Sequence, residues 1–448
     1  MKKVVMSALA SAIVLGSIST ASAEENGIEI LDGLKFKGEI RPRYESANVD
    51  VTNGTDKKAA NAFTNRLALA IEADKLFGSS MFGAYLEGTM VNNFGYDNYN
   101  STQNGKTQYD VVADPQQARL TQAYLDFNYG GTLLRGGRQA VNLDNQRFVG
   151  TVNWRQMPQT FDAATVVNTS VKDLTLIGAY VFGVNRITAQ NNITGATEGS
   201  NEAYDTNSVI LNASYKVADE LKITGYGYLL SSINSTYGAS LTGKAKFGDV
   251  KLNYRGEYAK QDDAVLERHS ANDLPGSATP TAGAVRGEPK ADAYYYNLDV
   301  GANIYGVLAG ANYEFLSGTN GTDNKTAFST PLATLHKFNG WADVFLATPT
   351  GGLRDANVKL GYATKSFGKF AVIYHKFDSE YAMANIAGTG TSKDLGSEID
   401  AVYTRAIPGV NNLKGLIKYA KFNGGDVAAT KNDVQKVWVQ LDYKFSIN

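Results

Sequence analysis

The sequence predicts an all-β fold, a transmembrane antiparallel β-barrel of about 18 strands with short periplasmic turns and long extracellular loops. Three observations carry that expectation: segments that alternate with a period of two, connections that alternate in length, and a leader that marks the chain for export. In "LKFKGEIRPRYES", which begins at Leu34, Lys35, Lys37, Glu39, Arg41, Arg43 and Glu45 take every odd position. Leu34, Phe36, Ile40 and Tyr44 fall between them. Side chains of an extended strand alternate between faces, so this segment has one charged and one apolar face. In a membrane barrel the apolar face meets lipid and the charged face a watery lumen.

The leader comes first. Lys2 and Lys3 precede the apolar run "VVMSALASAIVLGSIS", which ends in Ala21-Ser22-Ala23 before Glu24. A charged start, a short apolar run and small residues around a cleavage point make a secretory signal peptide over residues 1–23. The run is too short and too interrupted by Ser and Gly to read as a spanning helix. Residues 24–448 then form one barrel domain, because no Pro- or Ser-rich linker divides them.

The alternation recurs along the chain. "RLALAIEAD" sets Leu67, Leu69 and Ile71 against Arg66 and Glu72; "KLNYRGEYA" sets Leu252, Tyr254 and Tyr258 against Asn253, Arg255 and Glu257. The final "KVWVQLDYKFSIN" sets Val437, Val439, Leu441 and Tyr443 against Lys436, Gln440 and Asp442. No segment beyond the leader shows a helical period. Short turns are expected at 74–80, 129–132, 172–173, 218–220, 247–249, 305–306, 365–369 and 408–412. Long polar loops are expected at 47–62, 93–118, 141–159, 184–205, 261–290, 317–354, 381–395 and 423–433. A sandwich or propeller gives no reason for such alternation, whereas an outer-membrane barrel does. Aromatics on the apolar parity at strand ends, among them Tyr44, Phe77, Tyr129, Phe182, Phe247, Phe315 and Tyr362, suit interfacial girdles.

Composition narrows the function classes. The chain holds 43 Lys+Arg against 44 Asp+Glu, so no charge excess points to nucleic acid. With zero Cys there are no disulfides, thiolate metal sites or thiol nucleophiles. The three histidines, His269, His336 and His375, have no second ligand at metal spacing. Nothing in the sequence positions a Ser-His-Asp site around His269, so no enzyme, metal or cofactor is expected.

Two stretches stand apart: "GRQAVNLDNQRFVGTVNWRQMPQTFDA" from Gly137 and "HKFNGWADVFLATPTGGLRDANVKLGY" from His336. The first, with its lead-in "DPQQARLTQAYLDF" at 114–127, resembles the alginate-export family of outer-membrane barrels. That family shares a strand entering GRQ, then LD-x-QRFVG, WRQ and QTFDA. The second stretch is similar to the family's later G-x-AD-x-F-x-x-TP-x-x-GL-x-D. The resemblance implies an 18-stranded barrel passing a polyanionic polysaccharide or another anionic or polar solute. It also implies that Arg138, Asp144, Arg147, Arg155 and Asp162 belong to the family's pattern.

The residues add a reading of their own. Loop 141–159 is apolar for a surface loop, with Leu143, Phe148, Val149, Trp154 and Phe161 in or beside it. It is expected to fold inward and bring Arg147 and Arg155 to the lumen, where planar guanidinium groups meet anions or carboxylates. Arg138 falls on the outward parity after Leu134, so a bulge at Gly136-Gly137 is needed to turn it in. The expected anion-contacting set at the constriction is therefore Arg138, Arg147 and Arg155 with the wall residues Arg41, Arg43, Arg66 and Arg135. Asp144, Asp162, Asp343 and Asp355 are expected to pin the loops. The function expected is passive diffusion of small polar or anionic solutes across the Gram-negative outer membrane; the alternative is export of an anionic polysaccharide such as alginate. Partners would be outer-membrane lipid and the solute, with room for a homo-oligomer and none for nucleic acid.

Overall fold

A computed structural model describes residues 31–52, 54–188, 203–266 and 290–447. The leader and His269 lie outside the described residues. One antiparallel sheet contains every described strand. In chain order these are β1 (Leu31–Asp50), β2 (Ala60–Leu76), β3 (Phe82–Asn92), β4 (Asp97–Asn98), β5 (Gln117–Tyr129), β6 (Thr132–Gln139) and β7 (Thr160–Asn168). Then come β8 (Leu174–Asn185), β9 (Ala203–Ala218), β10 (Leu221–Leu230), β11 (Asn234–Phe247), β12 (Val250–Asp262) and β13 (Asp292–Ile304). The last are β14 (Val307–Leu316), β15 (Leu353–Thr364), β16 (Gly368–Ala384), β17 (Thr391–Ala406), β18 (Leu413–Gly424) and β19 (Asp433–Ile447). The two-residue β4 pairs only with β2, beyond the end of β3, so the wall has eighteen staves. The sheet closes where β1 pairs with β19, Phe36 opposite Ile447 and Asp50 opposite Asp433. Closure leaves no edge strand unpaired, which a lipid environment demands.

The alternation read from the sequence is the alternation of the wall. On β1, Ile40 and Tyr44 are each 39% exposed on the lipid side, while Arg43 and Glu45, pointing inward, are 0% and 1% exposed. All eight expected periplasmic turns fall at strand junctions of six residues or fewer, from Leu76/Phe82 to Ala406/Leu413. One long loop is shorter than expected: β16 and β17 run on as a ribbon and leave only residues 385–390 between them. The girdle holds at Phe77, Tyr129 and Phe247, all at least 60% exposed, but Phe315 is 3% exposed and stacks on Tyr296. It keeps the outward parity opposite Tyr296, and its low exposure comes from being stacked between Tyr294 and Tyr296.

The lumen is not the watery bore that the charged parity suggests. Loops 140–159 and 317–352 fold into it and meet each other, Gly150 N–H donating to Leu332 O at 2.9 Å and Thr334 N–H to Gln146 O at 3.1 Å. Phe148 packs among Tyr226, Tyr295 and Phe328, with ring centroids 5.3–6.0 Å apart. This apolar pad rests against the wall from β10 to β14. On the opposite side, towards β1 and β19, the same loops meet a layer of charged side chains.

Candidate functional site: the lumenal plug

The tip of loop 140–159 lies against β1 and β2, and the wall holds it mainly through its backbone. Arg41 donates to Asn153 O at 2.9 Å, to Arg155 O at 2.7 Å and to Gln156 Oε1 at 3.1 Å. Arg43 donates to Trp154 O at 2.5 Å and to Gln440 Oε1 at 2.9 Å, with its guanidinium 4.2 Å from the Trp154 ring centroid. Arg66 donates to Asn153 Oδ1 at 2.5 Å. A guanidinium has five donors in a fixed plane, so it can seat several carbonyls of a loop where an ammonium cannot.

The loop's own arginines are anchored to carboxylates. Arg155 lies 3.1 Å from both oxygens of Glu45 and 3.1 Å from Asp343 Oδ2, with Asp114 at 3.7 Å. Arg147 meets Glu314 Oε1 at 2.9 Å and Asn339 Oδ1 at 3.1 Å, and stands 4.8 Å from the Phe338 ring. Both are almost fully buried, at 7% and 2% exposed. Arg138 goes elsewhere. The pairing of β6 with β5 and with β7 runs without a break, so the expected bulge at Gly136-Gly137 is absent. The register shifts instead on β5 at Thr121 and on β8 at Phe182. Arg138 therefore keeps the outward parity and makes a two-pronged pair with Asp162, at 2.7 and 2.9 Å. Gly137 still matters, because at φ +129° a Cβ there would stand 2.2 Å from Ala123 O. Arg135 lies lower on the wall, paired with both oxygens of Asp126 at 2.7 Å and 3.8 Å from the Tyr124 ring.

The carboxylates divide the same way. Asp144 fixes its loop to Arg255 at 2.6 and 3.1 Å and to Ser240 at 3.1 Å; burial opposes its charge, but Arg255 prevails and holds its pKa below the ordinary value. Asp343 joins Lys436 at 2.8 Å, Arg155 and His336 Nδ1 at 2.6 Å. Burial opposes charge here too, yet His336, Lys436 and Arg155 together hold the carboxyl well below its usual range. Asp355 is a wall residue that accepts from Asn339 at 3.3 Å and lies 2.8 Å from His375 Nδ1.

Sequence reasoning missed the centre of the plug. All three tryptophans of the chain gather around the Lys418 ammonium, with centroids at 4.2 Å (Trp154), 3.7 Å (Trp341) and 5.3 Å (Trp438). Lys418 donates to His336 Nε2 at 2.7 Å, which leaves Nδ1 to carry the proton offered to Asp343. Burial pushes the His336 pKa well below its usual value; Asp343 opposes that and Lys418 adds to it. The ring stacks on Trp154 at 4.5 Å and 7°. Beside it, Glu398 and Asp400 accept the backbone N–H groups of Ala342 at 2.7 Å and Trp341 at 3.2 Å. The signal available was the WRQ and G-W-A-D pair of motifs, each carrying a tryptophan into a loop. No group of three or more His, Cys, Asp or Glu among the described residues has a metal-holding arrangement.

The family model described as alginate export matches residues 32–264, just over half of the chain. The chain belongs to the alginate-export family. The match takes in the Gly137–Ala163 stretch and stops short of the one beginning at His336. No curated protein matches the sequence closely enough to stand as a relative. Among solved structures, OccAB4 of Acinetobacter baumannii is 14% identical, with 94% of this chain and 100% of that chain covered at a TM-score of 0.65. OccK8 (OprE) of Pseudomonas aeruginosa is 17% identical over 94% and 100% at 0.65. OpdK of Pseudomonas aeruginosa, solved with vanillate, is 14% identical over 93% and 100% at 0.66. This alginate-export family chain thus has the eighteen-stave barrel of outer-membrane porins, and the Gram-negative outer membrane is its location.

Proposed function

We propose that this chain is a porin-like channel for passive diffusion of small polar or anionic solutes, processed after Ala23 during export. The observation that carries the reading is the plug: side chains from both inward loops fill the middle of the lumen, where Arg43, Gln156 and Trp438 are each 0% exposed. A barrel of this strand number is wide enough for an aqueous channel unless something narrows it. A plug at mid-height suits small solutes that pass singly. A polysaccharide chain would need a continuous bore, so the exporter alternative requires the plug to leave.

Arg41, Arg43 and Arg66 stand together on one wall of the narrow zone, with Glu39, Glu45 and Asp114 at 3.6–3.9 Å from them. We read these guanidinium groups as the donors an incoming carboxylate meets, while Arg147 and Arg155 serve as struts neutralised by Glu314, Glu45 and Asp343. Vanillate, the carboxylate solved with OpdK, belongs to the solute class this wall suits. The test is swelling of liposomes that carry the purified protein. Small carboxylates and neutral sugars should enter at rates that fall steeply with size, and oligomers of a uronic acid should not enter. Swelling by long polyuronates at rates near those of monomers would favour the exporter instead.

A further inference from the structure

Two lumenal cavities lie on either side of the plug, and both touch the same wall. The lower, of about 500 Å³, is lined by Lys37 and Glu39 of β1, Ala68 of β2, Lys414 of β18 and Asp442 of β19. The upper, of about 420 Å³, is lined by Ala47 and Val49 of β1, Asp343 of the second inward loop, and Val434 and Lys436 of β19. Along β1 the gap from residue 39 to residue 47 is about 26 Å at 3.3 Å per residue. Several buried polar atoms without hydrogen-bond partners lie in that gap. Glu39 Oε1 and Asp442 Oδ1 belong to residues that line the lower cavity, Arg66 Nε stands on the side chain next to Glu39, and the indole nitrogens of Trp154 and Trp438 stand at the plug. Native interiors pair nearly all such groups, and a run of unpaired donors and acceptors marks a track that water or a polar solute completes.

We infer that solute crosses along the seam of β1, β2, β18 and β19, with the Trp154 indole as the gate between the two cavities. This rests on the channel reading above and adds the route, the gate and a solute class. The seam offers unpaired acceptors on Glu39 and Asp442 and unpaired donors on Arg66, Trp154 and Trp438, so it suits a small solute carrying a carboxylate together with hydrogen-bond donors, as a hydroxy or amino acid does. A purely anionic polymer would meet Glu39, Asp114 and Asp442 as well as the arginines. On the opposite wall Phe148, Tyr226, Tyr295 and Phe328 form an aromatic pad whose tyrosine hydroxyls are already taken up by Glu257 and Glu314. Trp154 is placed to gate because it is only partly buried, sits at a loop tip, and stacks on His336 of the other inward loop.

The chain lacks cysteine, so single thiols can be placed at will. Three full-length variants, Val49→Cys, Lys414→Cys and Lys244→Cys, are recorded in planar bilayers before and after a charged methanethiosulfonate reagent, with modification checked by mass. Val49 and Lys414 border the two cavities, whereas Lys244 is an exposed, inward-facing residue of β11, on the far side of the barrel. Modification at 49 and at 414 should each cut conductance by more than half, and modification at 244 should change it little. Trp154→Ala should at least double it. Modified 49 and 414 thiols with unchanged conductance, thiols there that the reagent cannot reach, or block confined to 244 would each overturn the route while leaving the channel reading intact. Unmodified protein that never conducts would instead overturn the channel reading, and the route with it.

Discussion

At the residue scale the molecule turns on paired buried charge. Arg155 neutralises Glu45 and Asp343 at once, and removing one partner from a buried ion pair leaves charge with no compensation, at a cost of about 3–5 kcal/mol. Arg155→Gln should therefore lower the unfolding midpoint of the plug, seen as earlier loss of tryptophan fluorescence on heating, and shift ion selectivity toward cations. His336 gives a pH prediction with a definite sign. Seated, it stays neutral between Lys418, Asp343, Arg155 and the rings of Trp154 and Trp438; released, it takes a proton near its ordinary pKa of about 6.5. A depressed histidine stabilises the seated state above that value and loses its contribution as pH falls below it. Asp144 and Asp343, with depressed carboxyls, keep theirs until pH drops below the ordinary carboxylate range. Channel conductance should thus rise between pH 7 and pH 5, and His336→Asn, which keeps a donor and an acceptor, should abolish that slope. What the sequence could tell about residues was parity: Glu39 to Glu45 point inward as the alternation said. Parity also put Arg138 outward, where it stays; the bulge at Gly136-Gly137 invoked to turn it in is absent, and the register shifts lie on β5 and β8, where Thr121 and Phe182 look like ordinary strand residues.

At the scale of elements, the apolar content of loop 140–159 announced that it would fold inward, and it does. Its partner was hidden. The bond between Gly150 and Leu332 joins segments far apart in sequence, and neither shows a periodicity that a local reading could use. Trp341 and Trp438 were visible as residues, but only the closed barrel brings them to one lysine. Deleting Asn145–Trp154 should raise single-channel conductance, since the segment fills the lumen. That deletion also strips Arg147 from the buried Glu314, so it should cost heat stability that Trp154→Ala leaves mostly in place. Gly340 tests the second loop. At φ +83° its Cβ would stand 2.3 Å from Glu398 Oε2, so Gly340→Val should lift the loop from the carboxylates that accept its backbone N–H groups and widen the channel. Conductance equal to wild type in well-folded Gly340→Val would show that the loop does not narrow the path.

At the scale of the whole molecule, alternating connection lengths and an even strand number carried the architecture. They follow from a physical demand, namely that every backbone group in lipid be paired and both chain ends lie on one side. The closed wall should make the protein run differently on gels before and after boiling, in outer-membrane fractions. The filling of the lumen was beyond such reasoning, because a charged strand face reads the same whether it meets water or a loop rich in carbonyls. The barrel is a channel narrowed by its own loops and lined on one side by guanidinium groups. Single-channel recording of the purified protein across a salt gradient puts that to the test. Conductance should lie well below that of the same barrel with loop 140–159 replaced by a short Gly-Ser turn, and the reversal potential should take the sign set by anions. Equal conductance in the two proteins, or a reversal potential set by cations, would contradict it.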